Sequence, residues 1–509
     1  MMKRILSVDN MRRSDANTIA SGIPGRELMR RAASGICDAM LNRGLAAGRI
    51  AIFCGSGNNA GDGYALAPML KNKGANVSVV LCADKFSEDG QYYYDLCLNE
   101  NIPMLLLEDV LERKYSFDVV VDCLLGTGFT GEPRGNIKLA IDYINVIKSD
   151  TAVISVDINS GLNGDNGLAE KCVISDLTIS IGDVKPGLYL NMAKDCIGEI
   201  VNIDIGINPV DKPMYLFEKE DAAKCLPIRK NNSNKGTYGY IALIGGSGNY
   251  TGAITLSAMA NCAMRSGAGV VLVASPHTVS DKIAPRILES TIYSLKENDG
   301  NIVFDHQQIA TLMKRVKVIA FGMGIGTSGG VRDTLRCLIN EFDGILIIDA
   351  DGLNVLAVLL AEDNELLNKS SCRKIIVTPH PKELSRLTGC DVKDILNNPI
   401  KIPYEFAVNN DCIVLSKGSS TVVADKEDIF VINRGCSGMA TAGSGDVLSG
   451  IMAAICGYNS DNLLRAVATA AYVNGYAGEL AEEEFGDISM IASDTVKYIP
   501  EAIRGIRDI

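Results

Sequence analysis

The sequence predicts an α/β protein of two domains, a Rossmann-like doubly wound sheet followed by a longer α/β/α layer. Three observations carry that expectation. Continuous β-branched runs alternate with helical patterns through both halves, as parallel strands do when helices cover both faces of the sheet. Glycine-rich loops follow several of these runs, where open α/β sheets hold their ligands. The alternation breaks once, at INPVDKPMYLFEKEDAAKCLP (207–227), where three prolines and mixed charge mark a connector. The domains expected on this basis are 1–215 and 225–509, consistent with a length of 509 residues.

In the first half, strands are expected at 50–54, 77–82, 117–125, 152–158, 177–181 and 199–205. Helical spacing is clearest at 27–42 and 63–73. In the second half, strands are expected at 238–244, 270–274, 316–321, 345–349, 374–378, 412–416 and 421–424. Residues 417–434 read as a β-meander, and the chain closes in Ala-rich helices.

Composition removes several classes of function. A net charge of −12 and a pI near 5.0 argue against nucleic acid or an anionic membrane surface as partner. No apolar run reaches the roughly 20 residues that cross a bilayer. The opening MMKRILSVDNMRRSDAN lacks the apolar core of a signal peptide, so a cytoplasmic location is expected. The 15 cysteines are scattered without a C-x-x-C pair, which fits reduced, buried thiols. Three histidines leave little material for a His-rich metal site.

The densest chemistry lies in NRGCSGMATAGSGDVLSGIMAA (433–454). A glycine-rich turn that opens a helix presents free N–H groups at the positive end of the helix dipole, a cradle for phosphate. Asp446 in that turn is unsuited to holding phosphate. It is suited to taking a proton from a hydroxyl that the phosphate will meet. Other second-half loops add to this: LSKGSST at 415–421 with Lys417, VTPHPKE at 377–383 with His380 between two prolines, AFGMGIG at 320–326, and GGSGNYTGA at 245–253.

In the first half, a strand runs into GSGNNAGDGY (55–64), a glycine-rich loop suited to a phosphate or nucleotide. It lacks the G-x-G-x-x-G fingerprint, so ordinary NAD-dependent redox chemistry is disfavoured. Two further strands carry Asp122 into GTGFTGEPRG and Asp157 into NSGLNGDNG. Asn59, Asp122, Asp157 and Ser160 supply hard oxygen donors, fit for an alkali or alkaline-earth ion. The same groups suit a ribose or a structural network, and spacing alone leaves these alternatives open.

The loops GSGNNAGDGY, VDCLLGTGFTGEPRG and VDINSGLNGDNG, with the opening SVDNMRRSDANTIASGIPGRELMRRAA, resemble the NAD(P)H-hydrate epimerase family over roughly residues 1–215. The resemblance implies that Asn58, Asn59, Ala60, Gly61 and Asp62, and Gly126, Thr127, Gly128, Phe129, Thr130, Gly131 and Glu132, touch the substrate nucleotide. It implies a potassium ion on Asn59, Asp122 and Ser160, and Asp157 as the acid/base. Ala60 stands where glycine is more usual, and Asn159 where proline is. The strings NKGTYGY, GSGNYTGA, GMGIG, TPHPKE, KGSST and MATAGSGDVLSG resemble the ADP-dependent NAD(P)H-hydrate dehydratases of the ribokinase-like superfamily, over about 225–505. That resemblance implies ADP on Lys417, Gly418, Ser419, Ser420, Thr421, Gly443, Ser444 and Gly445, with magnesium. It places Ala253, Gly324, His380 and Asp446 around the hydrated dinucleotide. Met323 and Lys382 replace the more usual proline and glycine. The function implied is repair of hydrated NADH and NADPH by a homo-oligomer, with a ribokinase-like small-molecule kinase as the alternative.

Overall fold

A computed structural model describes residues 2–259 and 263–508. The chain divides into two units, one of residues 4–214 and one of residues 215–509 joined by residues 1–3.

The first unit is built on β1 (Arg49–Cys54), β2 (Asn76–Leu81), β3 (Met104–Leu106), β4 (Val119–Cys123), β5 (Ala152–Val156), β6 (Leu177–Ile181) and β7 (Glu199–Ile203). All pair in parallel, in the order β3-β2-β1-β4-β5-β6-β7. Alternate side chains of one strand serve opposite faces. Ile50, Ile52 and Cys54 enter one apolar core, and Ala51 and Phe53 enter the other. Both faces are therefore covered, which is why the strands read as unbroken apolar runs. The strand order reverses between β1 and β4, so the loops leaving them diverge and open a crevice.

The second unit follows the same plan. Its strands are β8 (Met214–Leu216), β9 (Tyr240–Ile244), β10 (Val270–Pro276), β11 (Thr291–Leu295), β12 (Glu297–Asn298), β13 (Asn301–Ile302), β14 (Val318–Phe321), β15 (Ile345–Ile348), β16 (Lys374–Val377), β17 (Ile413–Ser416), β18 (Thr421–Ala424) and β19 (Ile429–Ile432). The main sheet runs β8-β19-β18-β17-β16-β15-β14-β9-β10-β11. The pairs from β11 to β17 are parallel, and β17-β18-β19 form the antiparallel meander expected at 417–434. Ile241, Leu243, Val318 and Ala320 pack on one face, and Ala242, Ile244, Ile319 and Phe321 on the other. Here the order reverses between β9 and β14.

Two expectations are corrected. The helix expected from residue 63 begins at Asn58 and runs to Asn72, with extended Gly57 as its N-cap. The glycine-rich stretch at 55–64 is thus a three-residue turn and then the first turns of a helix. Strands β3, β8 and β11 carry no signal in the sequence, because they are short or only partly buried. No helix among the described residues is long and apolar enough to cross a membrane.

Candidate active sites

The crevice of the first unit is a cleft of about 500 Å³ at the C-terminal ends of β1, β4, β5 and β6. Asn58, Asn59 and Asp62 reach it from the first turns of the helix Asn58–Asn72, and Gly126, Thr127, Gly128 and Phe129 reach it from the loop after β4. Asp157, just beyond β5, joins them at a left-handed φ of +67°. The carboxylate lies beside Gly126, where an added Cβ would be 3.7 Å from Asp157 Oδ2 and 3.2 Å from Asn59 Cβ.

Some residues expected at the substrate do not line this cleft. Ala60 is buried in the apolar core, and a Cβ on Gly61 would strike the Met29 side chain at 2.5 Å. These two positions serve helix packing, because a helix that starts at Asn58 turns them inward. Thr130, Gly131 and Glu132 are exposed and outside the cleft wall.

Nothing in the motifs singles out Lys185, yet its side chain is 1 % exposed and its ammonium pairs with Asp157. It also donates to the Ile181 carbonyl at 2.6 Å. The signal available was a lysine four positions past an apolar strand, in GDVKPG. Asp62 and Asp15 share the cleft. Burial pushes the Asp62 carboxyl well up, and repulsion from Asp157 adds to it; Asp15 is raised by the same two causes. Two carboxyls raised by burial thus share the cleft with Asp157 and its buried lysine partner, a set of unlike environments suited to acid/base work.

Beneath the cleft, Asn59, Asp122 and Ser160 come together. Asn59 Nδ2 donates to the Leu125 carbonyl at 2.9 Å, while its Oδ1 is buried without a hydrogen-bond partner. Asp122 is fully buried and accepts from the Ser160 amide (2.9 Å), the Leu124 amide (3.2 Å) and the Ser155 and Ser160 hydroxyls. Ser160 Oγ also accepts from the Leu125 amide at 2.8 Å.

In the second unit, Gly443 adopts a φ of +96° and caps the helix Ser444–Tyr458. A side chain there would be strained, and its Cβ would strike Leu256 at 2.4 Å. The helix therefore opens with first-turn amides that have no intrahelical acceptor, and half-buried Asp446 sits in that turn. Burial and then Asp349 push its carboxyl up to about 7, against the pull of Lys417. Lys417 is held at 2.8 Å from Asp349 Oδ1, and Ser449 donates to Oδ2 of the same carboxylate at 2.6 Å. Together these bonds and the Lys417 charge keep Asp349 below the usual range despite its burial. A Cβ on Gly445 would lie 3.5 Å from Lys417 Nζ, so the lysine and the helix N-terminus face one point.

The other expected residues close around this point. Gly324, at φ +62°, leaves no room for a side chain: a Cβ would be 2.9 Å from Ala253 Cβ, from Tyr250 Cβ and from the Tyr250 carbonyl. The helix Thr251–Ala258 that carries Ala253 is tied to Asp446 by Ser257 Oγ, 2.8 Å from the Asp446 carbonyl. His380 caps the helix Pro381–Thr388, its Nδ1 accepting from the Lys382 and Glu383 amides at 3.1 and 3.2 Å. Burial, then Lys417 and Arg386, lower its pKa, and with Nδ1 accepting from two amides the ring N–H left to donate is Nε2. Ser420 donates to Asn433 Oδ1 at 3.0 Å, while Gly418 and Ser419 are exposed.

Residues 241–501 match the family model described as NAD(P)H-hydrate dehydratase, and residues 25–187 match the YjeF-related protein N-terminus. A protein of Moorella thermoacetica is 34% identical over 479 residues, covering 90% of this chain and 88% of its own length. One of Pyrobaculum aerophilum is 31% identical over 516 residues, covering 99% and 98%. Both are named bifunctional NAD(P)H-hydrate repair enzyme Nnr. Among solved structures, the ADP/ATP-dependent NAD(P)H-hydrate dehydratase of Bacillus subtilis, crystallised with ATP and Mg2+, aligns with a TM-score of 0.50 at 26% identity, over 57% of this chain and 98% of its own. A hypothetical protein of Streptococcus mutans shares that fold, with a TM-score of 0.50 at 24% identity over 58% of this chain and all of its own. The chain belongs to the bifunctional NAD(P)H-hydrate repair enzymes, which join an epimerase domain to a nucleotide-dependent dehydratase domain in one polypeptide.

Proposed function

We propose that residues 1–215 interconvert the R and S hydrates of NADH and NADPH with Asp157 as acid/base, and that residues 225–509 dehydrate the S form with Asp446 as base and ADP as phosphoryl donor. Epimerising a hydroxyl-bearing ring carbon beside nitrogen requires that hydroxyl to leave and return, or the ring to open. Either route delivers a proton and takes it back. Asp157, held by Lys185, accepts and returns it, and Asp62, its carboxyl raised by burial, is the nearby second acid.

In the second domain Asp446 takes the hydroxyl proton of the hydrate, and that oxygen attacks the terminal phosphorus of ADP, releasing AMP. The amides of residues 443–446 and Lys417 stabilise the charge on the transferred group. The ring nitrogen then expels phosphate, a better leaving group than hydroxide, and loss of a proton restores NAD(P)H. His380, with Nε2 left to donate, and the close-packed Gly324 and Ala253 shape the hydrate's side of the site. The B. subtilis enzyme named as ADP/ATP-dependent supports nucleotide use by the second domain.

Potassium fits the first domain: Asn59 Oδ1 is a buried oxygen lacking a hydrogen-bond partner, on a side chain that shares the Leu125 carbonyl with Ser160, itself bonded to Asp122. It would supply positive charge that orders the loops around Asp157. Magnesium would screen the phosphates of ADP and be held mainly by them, since Asp349 is already committed to Lys417 and Ser449. The enzyme is proposed to act in the cytoplasm as a homo-oligomer on small molecules only.

The observation that carries the assignment is the raised Asp446 carboxyl at the open end of a glycine-capped helix. The test is to mix an R,S pair of hydrated NADH with enzyme and ADP. Both epimers should return reduced nicotinamide, with one AMP for each. Asp157→Asn should stop after the S form, and Asp446→Ala should release no AMP. AMP release by Asp446→Ala at the wild-type rate would overturn the second role.

A further inference from the structure

The first domain holds a pair of thiols that the repair chemistry does not use. Cys172 and Cys196 are 24 positions apart and their sulfurs lie 3.1 Å from each other. Cys54, Cys123 and Cys456 are fully buried in apolar surroundings, and burial pushes their thiols far up. Cys196 differs: the hydrogen bond from the Cys172 thiol pulls it down, favouring its thiolate. A disulfide needs sulfurs about 2.05 Å apart, so closure asks for about 1 Å of approach.

The pair is coupled to the loop that carries Asp157 and Ser160. Asn159, fully buried, donates from Nδ2 to the Val173 carbonyl at 2.8 Å and to the Cys196 carbonyl at 3.0 Å. It thus holds the neighbour of one cysteine and the other cysteine itself. The Val173 amide donates to the Ser160 carbonyl at 3.0 Å. Gly161, at φ +99°, lets the loop press on the same strip, where a Cβ would lie 2.2 Å from the Lys171 carbonyl and 3.1 Å from Cys172 Cα. A proline at 159 would have no amide to make these bonds, so the coupling belongs to this chain's own residue.

We propose that Cys172 and Cys196 are a modification site, a dithiol that a peroxide closes to a disulfide, and that closure shifts the 157–160 loop and slows epimerisation. The two side chains are 7 % and 6 % exposed, so a small oxidant suits the site better than a bulky disulfide reagent. The Cys196 sulfur attacks the peroxide, an S–O bond forms as O–O breaks, and the departing hydroxide leaves as water with the thiol's proton. The Cys172 sulfur then displaces the sulfenic oxygen, which leaves as a second water with the Cys172 proton. Two thiols are oxidised by two electrons, and one peroxide is reduced to two waters.

The test uses the intact enzyme and hydrogen peroxide, followed by alkylation and tryptic digestion without reduction. Lys–Pro bonds at 185–186 and 212–213 resist trypsin, so Cys172 falls in peptide 172–194 and Cys196 in peptide 195–219, one cysteine each. The expected product is those two peptides joined, two hydrogens lighter, separated again by dithiothreitol. Cys172→Ser and Cys196→Ser should each lack it, the first carrying oxygen on Cys196 and the second leaving Cys172 free for alkylation. Full alkylation of both cysteines at peroxide levels that oxidise other thiols, or linkage only after unfolding, would overturn the site. The functional half rests on the placement of the epimerase site at Asp157. Epimerisation should fall at least about threefold on closure and recover with dithiothreitol, while dehydration of the S hydrate stays unchanged. A closed disulfide with undiminished epimerisation would refute the coupling and leave the dithiol standing. Asp157→Asn at the wild-type rate would instead refute the epimerase site itself.

Discussion

Dehydration of the S hydrate should speed up about tenfold between pH 6 and pH 8, because Asp446 must be ionised to act. Burial and Asp349 raise this carboxyl from 3.8 to about 7, with Lys417 opposing them. A base of that strength is about one-tenth ionised near pH 6 and about nine-tenths near pH 8. The recovered absorbance of reduced nicotinamide, with ADP saturating, reads the rate. Asp446→Asn should lower it by at least about 10²-fold and remove the pH limb. Stability carries the opposite sign. The folded chain binds this proton more tightly than the unfolded chain, so ionisation costs the wild type stability as pH rises from 3.8 to about 7. Asparagine has no proton to lose, so Asp446→Asn should melt higher than wild type near pH 8 and no higher near pH 3.5. A rate that is flat down to about pH 5, or a limb that survives in Asp446→Asn, would refute the assignment of the base.

Four other outcomes follow from the geometry. Lys185→Met removes the buried cation from Asp157 at nearly constant length; interconversion of the epimers, followed by chromatography, should fall about 10²-fold while S-hydrate dehydration is untouched. Lys417→Met leaves Asp349, 2 % exposed, without its cation, and should cost about 3–5 kcal/mol in denaturant unfolding of the second domain. Gly324→Ala forces a Cβ to 2.9 Å from Ala253 and Tyr250 at a φ of +62°; KM for the hydrate should rise and stability fall by about 1–3 kcal/mol. Replacing potassium by choline should slow epimerisation, and Asn59→Leu, which removes the buried unpartnered oxygen, should make the rate insensitive to potassium.

What was legible from the sequence was mostly local. Apolar runs that serve two cores at once marked the parallel strands, and glycines after those runs marked the ends where ligands bind. Asp157 and Asp446 were visible because each sits within such a turn. The partners that tune them were not visible. Lys185 reaches Asp157 from 28 positions away, and Asp349 reaches Lys417 from 68, so only the folded sheet brings either pair together. The stretch at 55–64 misled for a local reason. Its asparagines and glycines suit a loop, yet Gly57 caps a helix at once, which turns Ala60 and Gly61 into packing residues. Thr130 to Glu132 continue the glycine-rich string but swing out to solvent, since nothing in composition says where a loop leaves the cleft.

The division of labour can be tested in one tube. Asp157→Asn lacks only the first activity and Asp446→Asn only the second, so each should fail alone on the R hydrate with ADP. Mixed, they should convert it fully to reduced cofactor, because the S hydrate made by one diffuses to the other. A mixture that leaves the R hydrate unconverted, or either variant clearing it alone at the wild-type rate, would contradict the assignment of one carboxylate to each reaction.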